Sequence, residues 1–180
     1  MCFGNGNDGR LGSDDTQRIG DGVDSARLAA TGIVKLPPGA KAVAISAGIA
    51  HTCAVLDDGQ ALCFGSGSLG RRGSDSTSSC GDGTDPARIT ASCIPILPLS
   101  DYTLAAFAAR ASTCSISASA TVACWGSNAQ GQIGSGYTDT IGDDETASTI
   151  TAVTLSASPI ALASGAQHAC ALLQGGQLSC

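Results

Sequence analysis

The sequence predicts an all-β chain made of about three four-stranded β-propeller blades. Three observations carry that prediction: a repeat interval of 61 residues, a pair of cysteines ten residues apart in the later units, and short apolar runs punctuated by glycine turns. Cys2-Phe3-Gly4, Cys63-Phe64-Gly65 and Cys124-Trp125-Gly126 mark the interval, and Gly12, Gly73 and Gly134 keep it, as do Gly20-Asp21, Gly81-Asp82 and Gly142-Asp143. A period of this length marks an array of supersecondary units and not a single-core enzyme. The units run over 1–62, 63–123 and 124–180 and together form one partial propeller domain.

Each unit reads as a series of short strands. Val43-Ala44-Ile45 alternates large and small side chains, as does Ile160-Ala161-Leu162, with Leu104-Ala105-Ala106-Phe107 as a weaker copy. Period-two alternation predicts a strand. A second strand is expected over His51–Leu56 and a third over Gln60–Phe64, joined by Asp57-Asp58-Gly59. Gly59 stands where a three-residue hairpin loop needs a left-handed residue, and Gly176 repeats it. Ala120 takes that place in unit 2, which predicts a looser turn or one of another type. A fourth strand is expected near Ile33–Leu36, Ile94–Leu97 and Thr151–Leu155, giving the four strands of a propeller blade.

Composition bounds the chemistry. With 24 glycines, six aromatic residues and 43% hydrophobic content, the core must be built from small aliphatic side chains, so each unit depends on its neighbours for burial. The net charge of −6 and the scattered basic residues argue against nucleic acid or an anionic membrane surface as partner. No apolar run is long enough to span a membrane.

The cysteines are placed for cross-linking. Cys53 and Cys63 are symmetric about Asp58, Cys114 and Cys124 about Ser119, and Cys170 and Cys180 about Gly175. Each pair therefore faces across a hairpin, at a separation a disulfide tolerates. Cys80 and Cys93 flank a variable loop of unit 2 and are candidates to pair with each other. Cys2 is left unpaired, and its partner position falls ten residues upstream, which predicts a piece of a longer array. Disulfides imply an oxidising compartment.

Zinc is the rival use of these thiols. His51, Cys53 and Cys63, and likewise His168, Cys170 and Cys180, offer three ligand types of a zinc set. Unit 2 weighs against it, since Ser112 replaces the histidine while Cys114 and Cys124 remain. The two histidines are expected to be hydrogen-bonded at strand starts, and no third group recurs with them to orient a catalytic Cys-His pair. Gly4-Asn5-Gly6-Asn7-Asp8-Gly9 and Gly65-Ser66-Gly67-Ser68-Leu69-Gly70 match a dinucleotide fingerprint as strings, but loop sequence follows where a helix would have to open. No cofactor, metal or catalytic residue is expected. Carboxylates gather in one loop per unit, with Asp21, Asp82, Asp143, Asp144 and Glu145 as possible contacts. They read either as turn-forming residues or as an acidic rim for a basic partner or weakly held calcium.

The pattern Ala-Gly-x-x-His-x-Cys-Ala-x-Leu, then Cys-Trp-Gly-x-Asn-x-x-Gly-Gln-x-Gly, then Ile-Gly-Asp-Asp-Glu resembles the regulator of chromosome condensation repeat in its bacterial, cysteine-paired branch. Gly165–Leu173, Cys124–Gly136 and Ile141–Glu145 carry the best matches. The resemblance implies a fragment of a seven-bladed propeller, with further blades outside this chain. It also implies a non-catalytic interaction module of an exported or cell-surface bacterial protein that binds an unknown protein partner through its blade loops. Two alternatives follow from the same superfamily: guanine-nucleotide exchange on a small GTPase, and an inhibitor-type propeller that binds an extracellular enzyme. Unit 2 departs from the pattern at Ala109 and Ser112, and none of the exchange factors' functional residues map onto this chain.

Overall fold

The computed structural model describes residues 1–22, 34, 36–83, 103–144 and 150–180. It holds three antiparallel sheets, β1 (Ala42–Ala47), β2 (His51–Leu56) and β3 (Ala61–Gly65), then β4 (Thr103–Ala108), β5 (Ser112–Ser117) and β6 (Val122–Gly126), then β7 (Pro159–Ser164), β8 (Ala169–Leu173) and β9 (Leu178–Ser179). Strands pair in sequence order within each sheet, and no strand is shared between sheets. Neighbouring sheets stack face to face, so β1 and β2 touch β4, and β4 and β5 touch β7.

The stacking explains why β2, β3, β5 and β6 are buried along their whole length. On β2, Cys53 and Val55 face unit 2 and join one cluster with Cys114, Ile116, Val122, Trp125, Leu162 and Leu173. Leu56, Leu62 and Phe64 turn the other way and pack with Cys80, Cys2, Val34 and Leu36. A strand in the middle of such a stack has no solvent face, so its sequence reads as continuously apolar or small.

The fourth strand departs from expectation. In unit 3, Thr151–Leu155 supplies one bridge, Ala152 to Ala123, with the Val153 N–H donating to the Val122 carbonyl at 2.9 Å. Pairing stops there as Val153 lies over Gly134, where an added β-carbon would meet its Cγ1 at 3.2 Å. Near Ile33–Leu36, the described residues Val34 and Leu36 form no strand. The Leu36 N–H bonds the Val34 carbonyl at 3.1 Å, a tight local turn that cannot continue a ladder. The segment Ile94–Leu97 lies outside the described residues.

The hairpin turns hold a second correction. Ala120 does not loosen its turn: it adopts φ 60°, beside 82° at Gly59 and 83° at Gly176. The closing bond is the same in all three, from Gly59 to Leu56 at 3.0 Å, Ala120 to Ser117 at 3.0 Å and Gly176 to Leu173 at 3.1 Å. Unit 2 adds polar support, because the Ser117 hydroxyl meets Ser119 at 2.8 Å and accepts from the Thr121 N–H at 3.2 Å. A left-handed alanine costs about 1–2 kcal/mol. Ala120→Gly should therefore raise unfolding free energy by about 1 kcal/mol in denaturant titrations, and Gly59→Ala should lower it by a similar amount.

Below each turn the opposed cysteines are bonded, Cys53 to Cys63, Cys114 to Cys124 and Cys170 to Cys180, with Cα atoms 4.1, 4.1 and 4.0 Å apart. Register places Cys53 opposite Cys63 and Cys114 opposite Cys124, which is why the symmetric spacing in sequence becomes contact in space. Cys80 is also disulfide-bonded, while Cys93 lies outside the described residues. Cys2 is a free thiol, and burial pushes its pKa up, which makes it a poor nucleophile. Replacing Cys114 and Cys124 together by alanine should cost about 3 kcal/mol by the chain-entropy argument, measured by the same titration under oxidising conditions.

Candidate interaction surface

Three loops of the same design stand at one end of the sheets. Each returns after fifteen residues to bridge its own start, Gly4 with Ile19, Gly65 with Cys80 and Gly126 with Ile141, and the second and third begin at the ends of β3 and β6. Both backbone bonds of each bridge form, at 2.7 and 3.0 Å, 2.8 and 2.9 Å, and 2.8 and 3.2 Å. The glycine strings that mimic a dinucleotide fingerprint open the first two loops as 3-10 turns over Asn7–Gly9 and Ser68–Gly70. Successive loops lock together through bare backbone. Gly9 lies against Gly81-Asp82, and Gly70 against Gly142-Asp143, so closely that a β-carbon on either glycine would strike the main chain.

That joint gives part of the carboxylate pattern a structural role. Asp82 and Asp143 are half-buried beside the joints, whereas Asp21 and Asp144 are exposed, and Asp21, Asp82 and Asp143 all have partners. Glu145 lies outside the described residues. Other carboxylates cap turns: Asp15 accepts from the Gln17 N–H at 2.9 Å, Asp57 from Lys41 at 3.1 Å and Asp58 from Gln60 at 3.0 Å. Among the described residues no group of three or more His, Cys, Asp or Glu side chains is placed to hold a metal ion.

Beneath the loops, the units are tied by contacts that the sequence reading missed. Thr52 donates to the Arg10 carbonyl at 2.9 Å, and Thr113, one repeat later, to the Arg71 carbonyl at 2.8 Å. The Trp125 indole N–H reaches the same Arg71 carbonyl at 3.1 Å. His51 lies fully buried with Nε2 2.8 Å from the Thr113 hydroxyl. Since Thr113 gives its only hydroxyl proton to Arg71, its oxygen accepts from Nε2–H, and His51 carries its proton on Nε2. Nδ1 then holds a bare lone pair with no partner among the described residues. Burial, with the Arg71 and Arg72 charges added, lowers the His51 pKa to about 3. The ring is a neutral wedge between units 1 and 2, unsuited to acid-base work near neutral pH.

His168 is placed differently, exposed just ahead of β8 and without a side-chain hydrogen bond among the described residues. Each histidine nevertheless lies against the glycine three residues before it. A β-carbon on Gly48 would meet the His51 ring at 2.8 Å, and one on Gly165 would strike the His168 ring. In unit 2 the same two positions are Ala109 and Ser112. The ring and the glycine are thus lost together in unit 2, although at Gly48 the Ala109 carbonyl excludes a β-carbon more closely than the ring does. The signal was present in the sequence as a coupled change, as was the common interval of Arg10 with Arg71 and Thr52 with Thr113.

The exposed parts of the loop end are chemically mixed. Leu69 and Tyr137 are exposed at 45% and 37% on the loops of units 2 and 3, and Ile49 at 59% between β1 and β2. Arg10 braces the first loop through Asp8 at 2.8 Å and bonds the Ile49 carbonyl at 2.8 Å. Asn128, fully buried, ties the third loop together by donating to Tyr137 and Ser135 and accepting from the Ile133 N–H at 3.1 Å. These are hydrogen-bonded loops with differing tips on a repeated frame, which is how many proteins carry recognition. No helix among the described residues is long and apolar enough to cross a membrane.

Residues 42–71 match the family described as "Regulator of chromosome condensation (RCC1) repeat". Comparison of the sequence with curated proteins gave no match. Among solved structures, human WBSCR16 is similar over 98% of this chain and 42% of its own, at 15% identity and a TM-score of 0.67. Yeast RCC1 (Prp20), solved bound to Kap60, is similar over 92% of this chain and 36% of its own, at 15% identity and a TM-score of 0.58. A second structure of Prp20p from Saccharomyces cerevisiae, described with its binding properties to Gsp1p and histones, gives 14% identity and a TM-score of 0.55 over 89% of this chain and 36% of its own. The chain thus spans well under half the length of these structures. The likeness establishes the fold, and the three disulfides are consistent with a non-cytoplasmic location.

Proposed function

We propose that this chain, a set of regulator of chromosome condensation repeats, is a non-catalytic protein-interaction module that binds through the three fifteen-residue loops. The observation that carries the proposal is the contrast between a repeated frame and unlike loop tips: bridges, locking glycines and hairpin disulfides recur, while Asp8, Leu69 and Gln130 occupy one repeat position. The Kap60 complex and the reported binding of Prp20p to Gsp1p and histones support a protein-binding use of such frames. The hairpin disulfides favour an exported or cell-surface protein, for which a bacterial source fits the resemblance. They weigh against nucleotide exchange on a GTPase, which belongs to reducing compartments. An extracellular enzyme would be one class of partner.

The test is cross-linking capture from the extracellular fraction with the oxidised protein, followed by mapping of the linked residues. Cross-links concentrated on 5–19, 66–80 and 127–141, and a partner lost on Leu69→Asp with Tyr137→Ser, would support the reading. Cross-links confined to the hairpin turns at 57–60, 118–121 and 174–177 would contradict it.

A further inference from the structure

We propose that the guanidinium of Arg71 is a receptor for a carboxylate, the side chain of an aspartate or glutamate on the protein that docks on the loops. The inference rests on the loop-mediated reading and names the chemistry that one part of that surface takes. Its template lies one repeat earlier, in Arg10. There each nitrogen of the guanidinium has an acceptor. Nε donates to the Asn7 carbonyl, one terminal nitrogen to the Ile49 carbonyl and the other to the Asp8 carboxylate, each at 2.8 Å.

Arg71 repeats the first of these bonds and lacks the other two. Its Nε donates to the Ser68 carbonyl at 2.7 Å, but neither terminal nitrogen has a partner among the described residues. The sequence supplies the reason, since Leu69 stands where Asp8 does in the first loop. Both residues hold the left-handed backbone, φ 60° and 59°, so the side chain leaves from the same place and ends in methyl groups instead of oxygens. Asp8 is committed to Arg10 and makes no ion pair with Arg71. Burial lowers the Arg71 pKa, with the Asp8 charge opposing that shift and the Arg10 charge adding to it. Arg71 is only 8% exposed, yet its unbonded nitrogens are not sealed from solvent. A recessed cation without a counter-charge is costly, and an incoming carboxylate would give it charge-assisted bonds.

The surroundings also favour an anion. Thr113 holds the Arg71 carbonyl as Thr52 holds that of Arg10, so the second loop sits on the turn between β4 and β5 as the first sits on the turn between β1 and β2. In that turn the exposed Arg110 takes the place of Ile49. From unit 1 to unit 2 the same patch therefore loses a negative charge and gains a positive one, in a chain whose net charge is −6. Unit 3 has Gln130, Gln132 and Ala166 at these positions, so the cationic recess belongs to unit 2. Unit 2 is flanked by units 1 and 3, and the missing carboxylate arises from Leu69 itself. That side chain, 45% exposed, gives the recess an apolar shoulder for a residue next to the acid.

The test titrates the oxidised 180-residue protein, carrying isotope-labelled arginine, with acetyl-Gly-Glu-Leu-Gly-amide and with its glutamine counterpart, and follows the Arg71 Nε–H signal by NMR. The glutamate peptide should shift that signal saturably, and the glutamine peptide should bind at least about tenfold more weakly, as when a bond to a charged group is lost. Leu69→Asp supplies the carboxylate from within, as Asp8 does for Arg10, and should weaken binding by at least about tenfold. Leu69→Asn eases the backbone in the same way without the charge, and should bind the peptide more tightly than Leu69→Asp does. Arg110→Ala should weaken binding about threefold. Lack of a saturable shift with the glutamate peptide, or equal binding of the glutamine peptide, would overturn the proposal without reliance on any variant. Undiminished binding to a folded Leu69→Asp protein would overturn it as well, and tighter saturation by inorganic phosphate would overturn the assignment to a carboxylate. None of these results moves the cross-links that judge loop-mediated binding, so the two readings fail separately.

Discussion

Trp125→Ala is expected to lower the unfolding free energy by about 4 kcal/mol, the largest single loss among side-chain truncations in this chain. The indole is fully buried and covers Gly73, and its N–H satisfies the Arg71 carbonyl at 3.1 Å. Truncation removes apolar burial and leaves a cavity over Gly73, at the joint between units 2 and 3. Trp125→Phe separates the two contributions. It keeps most of the ring over Gly73 and loses one hydrogen bond to a carbonyl that still accepts from Thr113, so about 1–2 kcal/mol should be lost. Urea titration of oxidised protein, followed by circular dichroism, measures both. A loss below about 1 kcal/mol for the alanine variant would mean that the ring is not a core element.

The second large effect is pH dependence through His51. Its pKa is lowered to about 3 in the folded chain, against about 6.5 in an unfolded one. A depressed histidine contributes stability that is fully present above pH 6.5, where both states are neutral. As pH falls, the unfolded state takes up the proton first, and stability is lost down to the folded pKa. At about 1.4 kcal/mol per pH unit, about 2 kcal/mol should be gone at pH 5 and about 5 kcal/mol near pH 3. Ordinary carboxylates remain largely ionised between pH 6.5 and 5, so that window isolates the histidine. His51→Ser copies the residue found in unit 2 and should flatten the slope there, even though it lowers stability at pH 7. An unchanged slope in the variant would assign the effect to other groups.

The hairpins were legible in the sequence because their determinants are local. Asp57-Asp58-Gly59 announces a turn, the cysteines are symmetric about it, and β2 occupies the expected His51–Leu56. The turn at Ala120 was misread for an instructive reason. Glycine is the cheap way to reach a positive φ, but the disulfide below and the Ser117, Ser119 and Thr121 hydroxyls hold alanine there as well. The fourth strand misled because alternation at Thr151–Leu155 serves another purpose, placing Val153 and Leu155 on the core. Contacts between units were the least legible. Trp125 on Gly73, Thr113 on Arg71 and His51 on Thr113 join residues 42 to 62 positions apart, and only the stacking of sheets brings them together. The acidic residues of the loops read as one cluster per unit, either turn formers or a rim, and Asp82 and Asp143 sit at separate joints between units.

The central claim is that the cysteines staple each hairpin and so hold a frame from which the loops are presented, with no metal or thiol chemistry of their own. Mass-spectrometric mapping of the native, unreduced protein, with metal analysis of the same sample, tests it most directly. The account predicts peptides linked Cys53–Cys63, Cys114–Cys124 and Cys170–Cys180, a fourth link at Cys80 with Cys93 as its candidate partner, one free thiol per chain at Cys2, and no zinc. Free thiols at the six hairpin positions with stoichiometric zinc, or links that cross from one unit to another, would contradict it.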